Sequence, residues 1–230
     1  MADKVYVWGD SIAKGIVFDA GRGRYVGLRE QSGFAQAAQD LHVEMENHAH
    51  FGMTSEKGKM IVAGGMADVE KDAPVLLGFG GNDVDFDWSS ISETPEMKHL
   101  PNVSLDCFAD NMAQMVKTTR QAGLHPVLLT LPPIDSRRYF DWVTRGLEKK
   151  ENVLKWLGDV ECIYRTHLSY SVMLKQVSQT MDCAIVDVRA AFEKAGDLLG
   201  KLCVDGIHPN AQGHQVIHTA LMDYAAMHSL

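Results

Sequence analysis

Short runs of apolar residues alternate along this chain with longer segments whose apolar residues recur at helical spacing. Five runs have the length of strands, over residues 5–8, 43–49, 74–78, 126–131 and 184–188. All but the second are nearly continuous in aliphatic or aromatic residues, as expected of strands buried on both faces. The second run alternates apolar and polar residues instead, which predicts a strand at the edge of a sheet.

Five helices are predicted between and after these strands, over residues 32–41, 55–71, 104–121, 164–181 and 210–228. The third is the clearest, because its apolar residues follow helical spacing, Ser104 can cap its amino terminus and Gly123 follows its end. Strands that alternate with helices are typical of a parallel sheet covered on both faces. The pattern therefore predicts an α/β fold with a five-stranded parallel sheet, as a single domain over residues 1–230.

Two segments exceed what this alternation needs. Residues 83–103 are mostly polar, and residues 132–163 contain several aromatic side chains, among them Trp142 and Trp156. Each segment follows the carboxyl end of a predicted strand, which is the edge at which open parallel sheets bind ligands. We expect two elaborated loops beside a ligand site. The two tryptophans either pack within their own segment or face a substrate.

Charge and composition narrow the class of protein. The chain has 22 basic and 30 acidic side chains, a net charge of −8, and the 46% apolar content of a globular fold. The negative charge argues against a nucleic-acid partner. No apolar run approaches the roughly 20 residues of a membrane-spanning helix, and the amino-terminal sequence lacks the pattern of a signal peptide. We expect a cytoplasmic protein without an integral membrane segment, whose four cysteines are buried free thiols.

A serine follows the first predicted strand, in the sequence Gly9-Asp10-Ser11. A serine hydroxyl becomes a nucleophile when a base takes its proton and the backbone presents it openly. Gly9 permits a sharp turn, and backbone N–H groups after the turn would face an anion formed at Ser11. A plain strand-to-loop turn with Asp10 and Ser11 as capping residues explains the tripeptide equally well.

A base for such a serine is available before the last predicted helix, in Asp205-Gly206-Ile207-His208. An aspartate three residues before a histidine can accept the Nδ1–H of the imidazole and stabilise the imidazolium. A structural turn is the alternative. Asp187, which ends the fifth strand, is a rival for the acid, but only Asp205 has local reach to His208. No cluster has the spacing of a metal site, so neither a metal nor a cofactor is expected.

Two segments with glycine could supply hydrogen-bond donors. In Gly80-Gly81-Asn82, after the third strand, the asparagine amide can donate to an oxygen that becomes negative in a tetrahedral intermediate. The segment lacks the third glycine of a dinucleotide loop and the Gly-Lys-Ser/Thr of a P-loop. Gly52, after the second strand, could add a backbone N–H, although local grounds favour a turn glycine before a helix.

The order of these four motifs resembles that of the SGNH (GDSL-type) hydrolase family, from Gly9 to His208. Ile12 stands where that family's motif has leucine, and His50 where an asparagine often precedes the glycine of the second motif. The resemblance implies a flavodoxin-like three-layer α/β/α sandwich and hydrolase or esterase activity. It also implies site residues: Ser11 as nucleophile, His208 as base, Asp205 as the residue that orients it, and an oxyanion hole formed by the Ser11 N–H, the Gly52 N–H and the Asn82 side chain.

The resulting hypothesis is a serine esterase that hydrolyses short-acyl carboxylic esters, with acetylated carbohydrate among the candidate substrates, through an acyl-enzyme on Ser11. The same groups would serve an acyltransferase. A non-catalytic flavodoxin-like domain that binds phosphate or sugar is the alternative outside the enzymes. The expected partner of the enzyme is a small-molecule ester, and the oligomeric state is left open.

Two other groups of polar residues are given no role in the chemistry. The aspartates at 83, 85 and 87 alternate like the start of a calcium loop, but Trp88 stands where that loop needs glycine. His214 and His218, in the last predicted helix, are expected at the surface or partly packed, and neither is expected to be a second base.

Overall fold

The main sheet of the protein contains five parallel strands. The computed structural model describes residues 3–66 and 69–228. The strands are β1 (Lys4–Gly9), β2 (Ile16–Asp19), β3 (Arg24–Gly27), β4 (Glu44–Asn47), β5 (Pro74–Gly78), β6 (His125–Leu129) and β7 (Ala184–Val186). The sheet has the order β4-β1-β5-β6-β7, while β2 and β3 form a separate antiparallel hairpin. All five strands of the sheet lie within or next to the runs that the sequence predicts.

Helices cover both faces of this sheet. They are α1 (Gly33–Asp40), α2 (Ser55–Gly65), α3 (Trp88–Glu93), α4 (Leu105–Gln121), α5 (Ser136–Val143), α6 (Lys150–Leu157), α7 (Cys162–Thr180), α8 (Val188–Ala195), α9 (Leu198–Lys201) and α10 (Ala211–His228). Helices α2, α4 and α7 cover one face, and α1, α8 and α10 the other. The predicted α/β class and flavodoxin-like sandwich are confirmed. Among the described helices, none has the length and apolar character needed to cross a membrane.

The central strands are buried because their side chains alternate between the two helical layers. In β1, Tyr6 and Trp8 pack with the α2–α4–α7 layer, while Val7 packs with the α1–α8–α10 layer. The predicted edge strand, β4, is at the edge. The fifth strand was expected to be buried on both faces, and this is wrong: β7 is the other edge, and only its Val186 is fully buried.

Several elements differ from the prediction. The helix predicted over 55–71 ends at Gly65; residues 67 and 68 of that range lie outside the described residues, as do Met1 and Ala2. The segments 83–103 and 132–163 contain α3, α5 and α6, whose apolar side chains form a third, smaller core cluster around Ile91 and Val153. The two segments therefore pack against each other. Their helices were not predicted, because their polar and aromatic composition shows no clear helical period.

The four cysteines are free thiols, in line with the expectation of reduced residues, but they are not all buried. Cys183 and Cys203 are buried, Cys162 is half-buried and Cys107 is exposed on α4. The expectation of burial is therefore wrong for Cys162 and Cys107.

His214 is completely buried, contrary to the prediction for α10. A methyl group at Gly33 would lie 2.2 Å from the His214 carbonyl oxygen, so α1 and α10 cross in close backbone contact. The Gly33 N–H donates to His214 Nδ1 at 3.2 Å, and His214 Nε2 has no hydrogen-bond partner among the described residues. His218, one turn further on, is half-buried and lies 2.9 Å from Asp40.

We expect His214 to make the folding stability depend on pH. Burial lowers the pKa of His214 to about 4, from an ordinary value of 6.5. On acidification, His214 therefore takes up a proton in the unfolded chain before it does so in the folded protein. The stability that neutral, buried His214 contributes is complete above pH 6.5 and is lost as the pH falls toward 4. The free energy of unfolding of the wild type, minus that of His214→Asn, should shrink by about 3 kcal/mol from pH 7 to pH 4.

Urea denaturation of both proteins at a series of pH values measures this difference. The asparagine side chain in the variant would keep an acceptor oxygen for the Gly33 N–H. The buried groups that titrate elsewhere, such as His167 and Asp10, are common to both proteins and cancel in the comparison. His125→Asn, at an exposed position on β6, is the matched control. A pH-independent difference for His214→Asn would contradict the interpretation.

Candidate active site

Ser11 lies in a tight turn at the carboxyl end of β1. Gly9 pairs with Gly78 of the neighbouring strand β5, and the Asp10 N–H continues this contact by donating to the Gly78 carbonyl at 3.0 Å. The chain then turns back, and the Ile16 N–H donates to the Ser11 carbonyl at 2.9 Å where β2 begins. The turn holds the serine at the edge of the sheet where ligands bind in open α/β folds.

Asp10 holds this turn from inside. Its carboxylate is buried and accepts the N–H of Ile12 at 2.9 Å. Burial raises the pKa of Asp10 to about 6, although the N–H of Ile12 and the nearby His208 act in the opposite direction. The side chain thus stabilises the backbone on which Ser11 lies.

Asp205 and His208 lie on the loop before α10 and contact each other directly. His208 Nδ1 is 2.7 Å from Asp205 Oδ2, and the other oxygen, Oδ1, accepts the N–H groups of Ile207 and His208 at 3.1 Å each. Burial alone would raise the pKa of Asp205, but these hydrogen bonds outweigh it and hold the pKa below its ordinary value. Asp205 is therefore a fully buried carboxylate that remains ionised.

The same imidazole reaches Ser11. His208 Nε2 is 2.9 Å from Ser11 Oγ, although the two residues are 197 positions apart in the chain. Because an ionised carboxylate only accepts, Nδ1 carries the proton in the neutral ring, and Nε2 is left with the lone pair that faces the serine hydroxyl. Ser11, His208 and Asp205 thus form one continuous chain of hydrogen bonds, and all three side chains are buried.

Tyr25 joins this chain and was missed in the sequence analysis. Its hydroxyl donates to Asp205 Oδ2 at 3.1 Å, so that oxygen serves both Tyr25 and His208. Burial and the negative charge of Asp205 raise the pKa of Tyr25. Tyr25 belongs to the β2–β3 hairpin, which contacts the Asp205 loop where the Phe18 N–H donates to Cys203 Sγ at 3.3 Å. The signal for the hairpin was the glycine-rich turn 20–23 between two short runs of β-branched and aromatic residues.

Asn82 and Gly52 approach the site from two further loops. Asn82 lines the same cavity as Ser11, and its side-chain amide donates one hydrogen to the Met53 carbonyl at 3.2 Å. This hydrogen bond links the Asn82 loop to the Gly52 loop. Gly52 has a φ of 72°, in the left-handed region that favours glycine, and its neighbour Phe51 stacks parallel to the His208 ring at 6.2 Å. Gly52 itself is not among the residues that line the cavity.

A cavity of about 180 Å³ lies beside Ser11 and His208. Four elements form its walls: the turn after β1, the β2–β3 hairpin with Tyr25, the segment after β5 with Asp85, and helix α5 with Tyr139 and Trp142. Trp142 therefore faces the site, whereas Trp156 lines an adjoining apolar pocket formed mainly by the segments 83–103 and 132–163. The rival acid Asp187 is elsewhere: it caps α8 and accepts from Thr130 and Lys175.

The fold and the site together define a three-layer α/β/α domain in which a serine, a histidine and an aspartate are hydrogen-bonded at the carboxyl edge of a parallel sheet. Residues 7–216 match the model of the GDSL-like lipase/acylhydrolase family, and the chain belongs to this family. It is therefore a hydrolase, as the resemblance of its motifs implies.

Individual relatives agree with this assignment. The chain is 26% identical over 146 residues to "GDSL esterase/lipase CPRD49" of Arabidopsis thaliana, a match that covers 62% of this chain and only 50% of the plant protein. Among solved structures, the lipase/acylhydrolase from Enterococcus faecalis has a TM-score of 0.67 at 16% identity, covering 99% of this chain and 97% of that one. An acetylxylan esterase from Geobacillus stearothermophilus, Axe2, has a TM-score of 0.63 at 19% identity, covering 96% and 93%. At these identities the two structures show a shared fold.

Proposed function

We propose that this hydrolase is a serine esterase that cleaves short-acyl carboxylic esters through an acyl-enzyme on Ser11. The observation that carries the proposal is the chain of hydrogen bonds from Asp205 through His208 to Ser11, with distances of 2.7 Å and 2.9 Å. A domain that only binds phosphate or sugar has no need of a base aimed at a serine hydroxyl. An esterase needs this arrangement in order to activate its nucleophile.

The proton movements follow from the hydrogen bonds. Ser11 Oγ attacks the ester carbonyl carbon as His208 Nε2 takes its proton, and Asp205 stabilises the imidazolium that forms. The intermediate collapses when His208 returns the proton to the leaving alcohol oxygen, so the C–O bond of the ester breaks and the acyl group stays on Ser11. Water then attacks the acyl-enzyme by the same route, and the carboxylic acid leaves.

The negative oxygen of each intermediate is assigned to three donors. They are the backbone N–H of Ser11, the backbone N–H of Gly52 and the second N–H of the Asn82 amide. An asparagine amide has two hydrogens, and the bond to Met53 uses one of them, so the other is free to serve the substrate. That bond also holds the Gly52 and Asn82 loops together, which supports including Gly52 even though it does not line the cavity.

The size of the cavity supports a small acyl group. A space of about 180 Å³ is close to the roughly 150 Å³ of an engineered cavity that holds one benzene molecule. An acetyl or propionyl ester fits such a space, while a long acyl chain would extend out of it and lose the benefit of burial.

A series of p-nitrophenyl esters from acetate to decanoate tests the proposal. We expect kcat/KM to be highest for the two- to four-carbon esters and to fall at least tenfold by eight carbons, because each further methylene group lies outside the cavity. Release of p-nitrophenol gives the rate. Failure to hydrolyse any ester of the series would contradict esterase activity, whereas a maximum at eight carbons or more would contradict only the short-acyl assignment.

A further inference from the structure

Asp85 places a carboxylate in the wall of the cavity beside Ser11. It lies in the segment that follows β5, three residues after Asn82, and it is half-buried. The proposed reaction makes no use of it. Burial raises its pKa, and hydrogen bonds from Tyr139 and Trp88 act in the opposite direction.

Two aromatic side chains hold this carboxylate in one position. Asp85 Oδ1 accepts the Tyr139 hydroxyl at 2.6 Å and the Trp88 indole Nε1–H at 2.7 Å. Both donors are buried, and they come from the two inserted segments, 83–103 and 132–163. Oδ2 receives no side-chain donor from the described residues. Since an ionised carboxylate has about four lone-pair positions, Asp85 keeps acceptor capacity for a ligand in the cavity that it lines.

The other residues that line the cavity indicate the charge and the hydrogen-bonding groups of such a ligand. The cavity is lined by two carboxylates, Asp10 and Asp85, and by no lysine or arginine among the described residues. A carboxylate oxygen accepts hydrogen bonds, so the ligand must donate one, and an anionic substrate would be repelled.

A neutral donor fits better than a cation. The aromatic ring of Trp142 in this wall already carries the guanidinium of Arg145, which lies 3.4 Å from the ring centroid and does not line the cavity. A second cation against that ring would be repelled by Arg145. A hydroxyl group donates to a carboxylate without adding charge, and the rings of Tyr25 and Trp142 can pack against the carbon skeleton that bears it.

We propose that Asp85 is a specificity-determining residue that accepts a hydrogen bond from a free hydroxyl group of the substrate. The substrate class is then a partially acylated sugar or polyol, with a hydroxyl beside the ester that Ser11 attacks. This inference rests on the proposed esterase function of the same site. Tyr139 and Trp88 act through Asp85 as positioning residues, because they fix the carboxylate that touches the substrate.

Two esters that share a ring but differ in hydroxyl groups test the inference. Methyl β-D-xylopyranoside carrying one acetyl group has two free hydroxyls, and tetrahydropyran-4-yl acetate has none. We expect the wild type to hydrolyse the sugar ester with a kcat/KM at least tenfold above that of the tetrahydropyranyl ester, because a site built to bind a hydroxyl discriminates against a substrate that lacks it. Equal values would overturn the inference without any variant.

Asp85→Asn tests the acceptor capacity and the charge of this side chain. The amide oxygen can still accept from Tyr139 and Trp88, while an NH₂ group replaces Oδ2 and the charge is lost. The ratio of the two kcat/KM values should fall about tenfold or more. Asp110→Asn removes the same charge at an exposed position on α4, away from the cavity, and should leave the ratio unchanged. An equal loss for both esters in Asp85→Asn would assign Asp85 to folding alone and overturn the proposal.

Two further measurements separate the inference from the esterase function. Calorimetric titration of Ser11→Ala with methyl β-D-xylopyranoside measures binding without turnover, and adding Asp85→Asn should weaken it about tenfold. If the wild type hydrolysed no ester and this binding still depended on Asp85, the esterase function would be refuted and the hydroxyl site supported. Acetylcholine tests the cationic alternative: a loss in Asp85→Asn that is larger for acetylcholine than for the sugar ester would overturn the proposal.

Discussion

Replacing Ser11 with alanine should reduce the kcat for p-nitrophenyl acetate roughly 1,000-fold or more. The substitution removes one oxygen atom, the one that lies 2.9 Å from His208 Nε2 and that would carry the acyl group. Loss of a nucleophile removes the whole covalent route, and the rate that remains comes from binding and from the donors that stabilise the oxyanion. Since Ser11 is small and alanine leaves only a minor cavity, the thermal melting of the variant should stay close to that of the wild type.

Ser89→Ala is the matched control for this experiment, since Ser89 is exposed on α3. A fluorophosphonate probe should label the wild type and Ser89→Ala once, with the label on the peptide that contains Ser11. It should leave Ser11→Ala unlabelled. Turnover of Ser11→Ala at the wild-type rate would refute the acyl-enzyme, and the absence of labelling in every protein would favour a binding domain.

Replacing Gly9 with alanine should lower the free energy of unfolding by about 3 kcal/mol. The added methyl group would lie 2.4 Å from the Gly78 carbonyl oxygen and 2.7 Å from the Ala13 side chain. Neither contact can be relieved by rotating a side chain, because Gly78 belongs to β5 and β1 pairs with strands on both sides. The strand must shift, and the turn that holds Ser11 shifts with it. Urea denaturation and p-nitrophenyl acetate turnover should therefore both show a large loss.

Gly64→Ala separates this effect from glycine substitution in general. Gly64 lies inside α2, where an added methyl group meets nothing within 4 Å. Alanine favours the helix over glycine, so this variant should gain about 0.5 to 1 kcal/mol of stability. If Gly9→Ala unfolded at the wild-type urea concentration, close packing of β1 against β5 would not be the reason for glycine in the Gly9-Asp10-Ser11 motif.

The regular parts of the fold are the parts that local pattern predicts. The strand over 74–78 has its predicted bounds, and the helix over 104–121 begins one residue after its predicted cap, Ser104, whose Oγ accepts the Cys107 N–H. Both elements have a strong apolar period and clear end signals. The hairpin β2–β3 and helices α3, α5 and α6 were missed because they are short, and tertiary contacts stabilise them more than their own pattern does. Phe18 of the hairpin, for example, packs against Trp142 at 4.7 Å.

The residues of the site likewise fall into two groups, those that a local sequence motif identifies and those that only tertiary contacts identify. Ser11, Asn82 and the Asp205–His208 pair carry recognisable local sequences at the ends of predicted elements. Tyr25 and Asp85 carry none. Tyr25 is identified only by its hydrogen bond to Asp205, 180 positions away, and Asp85 by its bond to Tyr139, 54 positions away. His214 shows the same limit in the core, since only the crossing of α1 and α10 buries it.

The sequence by itself determined the class of fold and the order of its chemical groups, because strand and helix periods are local and the carboxyl ends of parallel strands share one edge. Tertiary structure decided which groups meet: the approach of His208 to Ser11, the tyrosine that shares Asp205, and the carboxylate that faces the cavity. These depend on how remote segments pack, and packing is set by the shapes of many side chains at once. The segments 83–103 and 132–163 therefore place Asp85, Tyr139 and Trp142 in the wall of the cavity, while the local motifs place Ser11, Asn82 and the Asp205–His208 pair beside them.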